Sequence, residues 1–222
     1  MGRHITLKSS DGFSFGAWRA DPGGAPRGGV VVIQEIMGVN HHIRAVADLY
    51  AAQGYLAIAP ALFDRAEPGF EVGYDGPGIQ RGMAIAGKLD REKMILDVAA
   101  AIAAAGSAGK VGIVGYCLGG TVAYLAACRL PGLAAASCYY GGGVLAAKDE
   151  APRIPTILHF GAKDAHIPIA GVREFQTLHP DLPVYVYDAD HGFNCDERGS
   201  YDAASAALAR QRTFDFFKAN IG

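Results

Sequence analysis

Apolar and polar positions fall into two kinds of run along this chain. His4 to Ser9 and Phe13 to Ala20 alternate apolar and polar side chains on either side of Asp11-Gly12, which predicts an antiparallel hairpin with one face on the core. Six further runs are continuous: Gly29 to Gln34, Tyr55 to Ala59, Lys110 to Gly115, Ala134 to Tyr140, Pro155 to Phe160 and Pro183 to Tyr187. Unbroken apolar runs of that length suit strands covered on both faces. The stretches between them have helical spacing: His41 to Gln53, Gln80 to Ala105, Leu118 to Leu130, Ile169 to Leu178 and Tyr201 to Ala219, the last with Leu208, Phe214 and Phe217 near one side. Strand, helix, strand in steady alternation predicts a mostly parallel sheet of about eight strands with helices on both faces. The expectation is one three-layer α/β domain over residues 1–222. Asp64 to Ile79, rich in glycine and proline, is the one long irregular stretch, and it predicts a surface loop near a site.

Composition removes several function classes. Twenty Lys plus Arg against 22 Asp plus Glu leave a net charge of −2, without the basic stripe that nucleic-acid binding requires. The longest apolar run, Val98 to Ala105, falls far short of the roughly 20 residues that span a bilayer. The opening residues lack a secretory apolar segment, and the four cysteines form no CxxC pair, so a cytoplasmic protein with free thiols is expected.

The chemistry is concentrated in Lys110 to Gly120, where an apolar run enters Gly115-Tyr116-Cys117-Leu118-Gly119 and then a helix. A nucleophile elbow of this kind forces strained backbone angles on its central residue, and glycine two positions to either side removes side chains that would collide. Cys117 at a helix N-terminus gains stabilisation of its thiolate from the helix dipole, and the Leu118 N–H is set to meet a developing oxyanion. A thiol nucleophile needs a base, and the base needs an orienting carboxylate. In an elbow-type sheet these follow the nucleophile in the order acid, then histidine, each after a later strand. Asp164, after Pro155 to Phe160, and His191, after Pro183 to Tyr187, occupy those places.

The other histidines are weaker candidates. His4 lies in the hairpin, His41 and His42 open a helix, His159 sits within a strand as a core imidazole, and His179 ends a helix before Pro180. His166, two residues past Asp164, is a candidate for the cleft lining. No histidine pair has metal-ligand spacing, so no metal is expected. Cys128 and Cys138 read as packing residues.

Together these residues resemble the dienelactone hydrolase family from about Gly29 to the C-terminus. Gln34 to Asn40 followed by Ile43 to Asp48, Gly115 to Gly120, Gly161 to Asp164, and His191 to Phe193 are each similar to that family's landmarks, in the same order. The resemblance implies an α/β-hydrolase fold, a Cys117, His191, Asp164 triad, no cofactor, and hydrolysis of a lactone or small carboxylic ester such as a dienelactone. It also implies that Glu35 holds the resting thiol and that the Ile36 N–H joins Leu118 in the oxyanion hole. Substrate contacts fall by the same resemblance on Arg81, Tyr116, Phe193 and Cys195. Cys195 stands where the family's dienelactone enzymes carry a carboxylate-reading arginine, and Arg198 is nearby but off register. A monomer acting on a small molecule is the expectation, set against a thiol switch resolved by Cys195 and against an acyltransferase.

Overall fold

The computed structural model describes residues 2–222 as one eight-stranded sheet with flanking helices. The strands are β1 (Arg3–Lys8), β2 (Ser14–Ala20), β3 (Gly29–Ile33), β4 (Leu56–Pro60), β5 (Val111–Tyr116), β6 (Leu133–Tyr139), β7 (Thr156–Gly161) and β8 (Val184–Tyr187). The helices are α1 (His41–Ala52), α2 (Gly76–Ala86), α3 (Arg91–Ala105), α4 (Leu118–Arg129), α5 (Ile169–Leu178) and α6 (Ala203–Asn220). Spatial order across the sheet is β1-β2-β4-β3-β5-β6-β7-β8. Only the β1–β2 and β2–β4 pairings are antiparallel. All eight predicted strands form, and every residue of β3, β4 and β5 is buried, as continuous apolar runs require.

Glycines in adjacent strands show how the two helical layers press on the sheet. A Cβ on Gly29 of β3 would lie 2.9 Å from the Ala105 Cβ in α3, whereas one on Gly112 of β5 would meet the Phe217 ring in α6 at 3.1 Å. Gly29 pairs with Val111, so Gly112 faces the opposite side. The α6 layer is joined to α1 by an edge-on contact between Tyr50 and Phe214.

Two expectations change. Gln80 to Ala105 is not one helix: α2 begins inside the irregular stretch, capped by Asp75 with Pro77 in its first turn, and Asp90 caps a fresh start at α3. In α6 the buried side is Ala206, Ala209, Thr213 and Phe217, while Leu208 is exposed. Small residues let α6 approach the sheet closely, and Leu208 projects away from it. Among the described residues no helix is long and apolar enough to cross a membrane.

The hairpin is tied to the body by a buried ion network. Arg65 makes two bonds to the fully buried carboxylate of Asp97 in α3, at 2.7 and 2.8 Å, and two more to Asp11 in the β1–β2 turn. Ser9 also donates to Asp97. Removing one partner of a buried pair strands the other charge, at a typical cost of about 3–5 kcal/mol, whereas a half-exposed partner is worth under about 1 kcal/mol. Asp97→Ala should therefore lower the unfolding free energy in urea by about 3 kcal/mol, and Asp11→Ala should lower it by much less. Equal losses in the two variants would contradict this assignment.

Candidate functional site

Cys117 lies between the end of β5 and the start of α4 with φ +56° and ψ −116°, a conformation that side chains rarely adopt. Neighbouring backbones permit it only because glycines surround it. A Cβ on Gly115 would land on the Gly119 carbonyl, one on Gly119 on the Ile33 carbonyl, and one on Gly120 on the Tyr139 carbonyl. The helix N-terminus thus seats directly on β3 and β6. The Cys117 N–H donates to Tyr139 O at 3.1 Å, which anchors the turn. The side chain stays partly exposed.

The loops after β7 and β8 bring in Asp164 and His191. The His191 Nδ1 lies 2.7 Å from Asp164 Oδ2, and the Asp164 carboxylate is wholly buried. The other Asp164 oxygen accepts from the backbone N–H groups of His166 and Ile167 at 2.8 and 3.1 Å. Because a carboxylate only accepts, Nδ1 carries the proton, and Nε2 is the nitrogen left to serve Cys117, which borders the same cleft. Tyr140 packs edge-on against the imidazole at 5.1 Å.

Burial disfavours a charged His191, but the bonds to Asp164 and Cys117 and their charges outweigh it and raise the imidazole to about 10. Burial likewise pushes Asp164 up, and its bonds to His191 and to two N–H groups bring it below its ordinary value. The His191 contribution to stability is therefore complete below its unfolded value of 6.5 and is lost as pH rises through about 10. Seen from Asp164, the same pair stabilises above the ordinary carboxylate value of 3.8 and weakens as pH falls through the lowered one.

A cleft of about 360 Å³ opens over Cys117 and His191. Ile36, Ile79, Met83 and Ile167 give it apolar walls, and Ile36 and Leu118 border it with backbone N–H groups that have no backbone partner among the described residues. His166 lines it as well, and so does Arg198.

Glu35 is completely buried beside this cleft, and its two oxygens accept from the Tyr74 hydroxyl at 2.8 Å and from Arg198 Nη1 at 3.2 Å. This differs from the expected bond to the resting thiol. The Tyr74 phenol and the Arg198 guanidinium take the two carboxylate oxygens.

The four expected substrate contacts do not line the cleft. Arg81 is exposed, paired with Glu67 and stacked over Phe70. Tyr116 is buried on the wall of a different cavity. Phe193 is fully buried among the rings of Tyr139, Tyr140 and Tyr187, where it supports the loop from behind. Cys195 is fully buried too. Motif position alone suggested all four, but the 191–198 segment turns inward and α2 carries Arg81 outward. Sequence reasoning missed Tyr74, Tyr140 and Arg91. Arg91 lines the cleft from the first turn of α3, and its only signal was its place beyond the irregular stretch.

One cluster of metal-ligand type exists among the described residues: His42, Cys195 and Asp196 have donor atoms within 4.8 Å of one another. No sequence spacing foretold it, because it joins α1 to the loop after β8. Within it, His42 Nδ1 bonds Asp196 Oδ1 at 3.1 Å. The thiol is pushed up to about 12 by burial and then by the Glu35 charge, which makes it a poor thiolate donor.

Comparison with known proteins gives a consistent answer. The family model for the dienelactone hydrolase family matches residues 15–221. The chain is 36% identical over 226 residues to a carboxymethylenebutenolidase of Pseudomonas putida, covering 96% of this chain and 94% of the relative. A crystal structure from Klebsiella pneumoniae, provisionally assigned as a dienelactone hydrolase, superposes with a TM-score of 0.81 at 30% identity, over 97% of this chain and 99% of that one. A dienelactone hydrolase-like promiscuous phosphotriesterase from metagenomic libraries shares the fold at a TM-score of 0.77 and 22% identity, over 100% and 99% of the two chains.

The balance at His191 is directly measurable. In the intact protein the imidazole should keep its second proton to about pH 10. In Asp164→Asn the burial remains and the main opposing partner is gone, so the NMR titration of His191 should move down by about two units or more. An unchanged titration would show that Asp164 does not set the state of the imidazole.

Proposed function

The chain belongs to the dienelactone hydrolase family, and from that membership and the cleft we propose that it hydrolyses lactones or small carboxylic esters through a thioester on Cys117. One observation carries the reading. Cys117, in its strained turn, and His191, which is held by Asp164 at 2.7 Å, border one cleft that is edged by two uncommitted N–H groups.

In this mechanism the Cys117 sulphur, its proton on His191 Nε2, attacks the ester carbonyl. Negative charge that collects on the carbonyl oxygen is met by the N–H groups of Ile36 and Leu118, which are oriented before the reaction begins. The tetrahedral adduct collapses, the C–O bond breaks, and the leaving enolate or alkoxide takes the proton from His191. Water then attacks the thioester carbon as His191 Nε2 removes its proton. A second collapse releases the carboxylate and returns the sulphur. The cycle closes with these side chains and water, and Asp164 keeps Nε2 aimed at the reacting atoms throughout. Four unpaired cysteines, the nucleophile among them, suit a reducing cytoplasm.

The cleft also constrains the substrate. Its walls are mainly apolar, and the charge of Arg198 is already met by Glu35. A substrate carboxylate would have to compete with Glu35 or reach Arg91. Neutral lactones should therefore be turned over within about a hundredfold of charged ones.

Two measurements test this reading. Cys117→Ala should reduce hydrolysis of aryl esters and lactones to background with unchanged melting, and wild-type enzyme quenched during turnover should show the acyl mass on Cys117. Substantial turnover by the variant would exclude the nucleophile. For substrate charge, kcat/KM of a carboxylated lactone should exceed that of its neutral amide by less than about a hundredfold, or about 2.7 kcal/mol. A larger preference would mean that a complete anion site exists in the cleft.

A further inference from the structure

The cleft over Cys117 has two unlike sides. Ile79 and Met83 of α2 border it from one, where α2 packs so closely on the loop after β3 that a Cβ on Gly82 would land on the Ile36 carbonyl. Gly143 and His166 border it from the other, on the loops after β6 and β7, and both of those strands lie on the far side of β5 from β3. His166 is the unexplained residue of this second side. Its backbone N–H donates to Asp164 Oδ1 at 2.8 Å, which any residue except proline could do. The imidazole itself is unused by the fold. It is exposed, its ring nitrogens make no hydrogen bond among the described residues, and it stands edge-on to the His191 ring with centroids 5.5 Å apart.

The thioester reaction, on which this inference rests, fixes which part of a substrate meets that ring. In the tetrahedral adduct the oxyanion points at the Ile36 and Leu118 N–H groups, and the leaving oxygen lies against His191 Nε2, from which it takes its proton. The acyl substituent takes the remaining direction. Whatever is attached to the leaving oxygen therefore extends past His191, where His166 is the neighbouring ring in the cleft. An imidazole carries at least one N–H in either protonation state, so His166 is a donor whatever its charge. Its surroundings offer it no acceptor in exchange: Ile167 is apolar, Gly143 has no side chain, and the Thr121 hydroxyl oxygen already accepts from the Gly143 N–H at 3.0 Å.

We propose that His166 is a specificity-determining residue for the leaving group, favouring esters of alcohols and phenols that carry an acceptor oxygen on the carbon next to the one bearing the leaving oxygen. With the leaving oxygen at His191, an oxygen on the adjacent carbon meets the His166 N–H. A hydrocarbon in the same place takes water away from that donor and returns no bond.

The test compares 2-methoxyphenyl acetate with 2-ethylphenyl acetate, which differ by an oxygen in place of a methylene. Both esters give the same acetyl-Cys117, so any effect on its hydrolysis by water is common to the pair, and the ratio of their kcat/KM values isolates the leaving group. Measured against the same ratio in His166→Phe and His166→Leu, the intrinsic reactivities of the two esters cancel. The methoxy-to-ethyl ratio should fall by about threefold or more in both variants, the worth of one hydrogen bond, and His166→Gln, which keeps a donor, should recover part of it. Either donor-free variant suffices for the comparison if the other does not fold. An unchanged ratio, or a fall in His166→Gln as large as in His166→Phe, would overturn the proposal. Mass analysis of wild-type enzyme quenched during turnover separates the two levels of failure. An acetyl group on Cys117 with an unchanged ratio refutes the role of His166 alone, whereas turnover without any acetyl-Cys117 refutes the thioester reading and the proposal with it.

Discussion

The close seating of α4 on the sheet is the constraint from which the rest of the site follows. The first turn of that helix rests on carbonyls of β3 and β6, with Gly119 and Gly120 at the points of contact and Gly115 beneath. No residue with a Cβ fits at any of the three without moving backbone. Cys117 is held at φ +56° as a result, and strain of this kind persists only where the surroundings over-determine it. The same seating fixes the depth of the Leu118 N–H. The loops after β3, β7 and β8 leave the carboxyl ends of strands in the same parallel sheet and so reach the same point. Ile36, Asp164 and His191 come from those three loops.

Charge at the site is arranged in two separate pairs, and the separation matters chemically. Asp164 is satisfied by His191 and by two backbone N–H groups, so its negative charge is committed to the imidazole. Glu35 is equally buried, but Tyr74 and Arg198 take both of its oxygens. Were Glu35 unpaired, a bare buried carboxylate beside the cleft would oppose the thiolate that the proposed reaction uses. Pairing with Arg198 offsets that cost and leaves His191 as the titratable group that borders the cleft with the sulphur.

Much of this was legible in the sequence, for reasons that can be named. Continuous apolar runs marked six of the strands, and alternation about Asp11-Gly12 marked the two of the hairpin. Cys117, Asp164 and His191 were marked by local turn chemistry and by chain order, both of which survive without knowledge of packing. What could not be read depends on how loops fold back. Tyr74 lies in a stretch with no periodicity, and nothing local shows that its hydroxyl reaches Glu35, 39 residues away in sequence. The break between α2 and α3 was hidden for a different reason. Apolar residues continue through Ile85 to Ile95 at near-helical spacing, and only the caps at Asp75 and Asp90 reveal two helices.

Arg198 shows most plainly why counting from a motif misplaces substrate contacts. Four residues after His191 stands Cys195, and an extended loop would present that position to the cleft. The segment is instead wound into three successive turns, with Cys195 N–H donating to Gly192 O at 2.9 Å, Arg198 N–H to Cys195 O at 3.1 Å, and Tyr201 N–H to Arg198 O at 3.1 Å. Each turn reverses the chain, so Cys195 is driven inward and Arg198 returns towards the cleft. Gly192 makes the return possible. It has φ +75°, and a Cβ there would stand 2.8 Å from the Arg198 Cδ. The guanidinium crosses that gap to reach Glu35, so a cation faces the cleft although the position that counting assigns to it holds a buried thiol. Which side chain faces the cleft is thus governed by where the turns deliver it, and Gly192, next to the histidine, leaves the path of Arg198 sterically open.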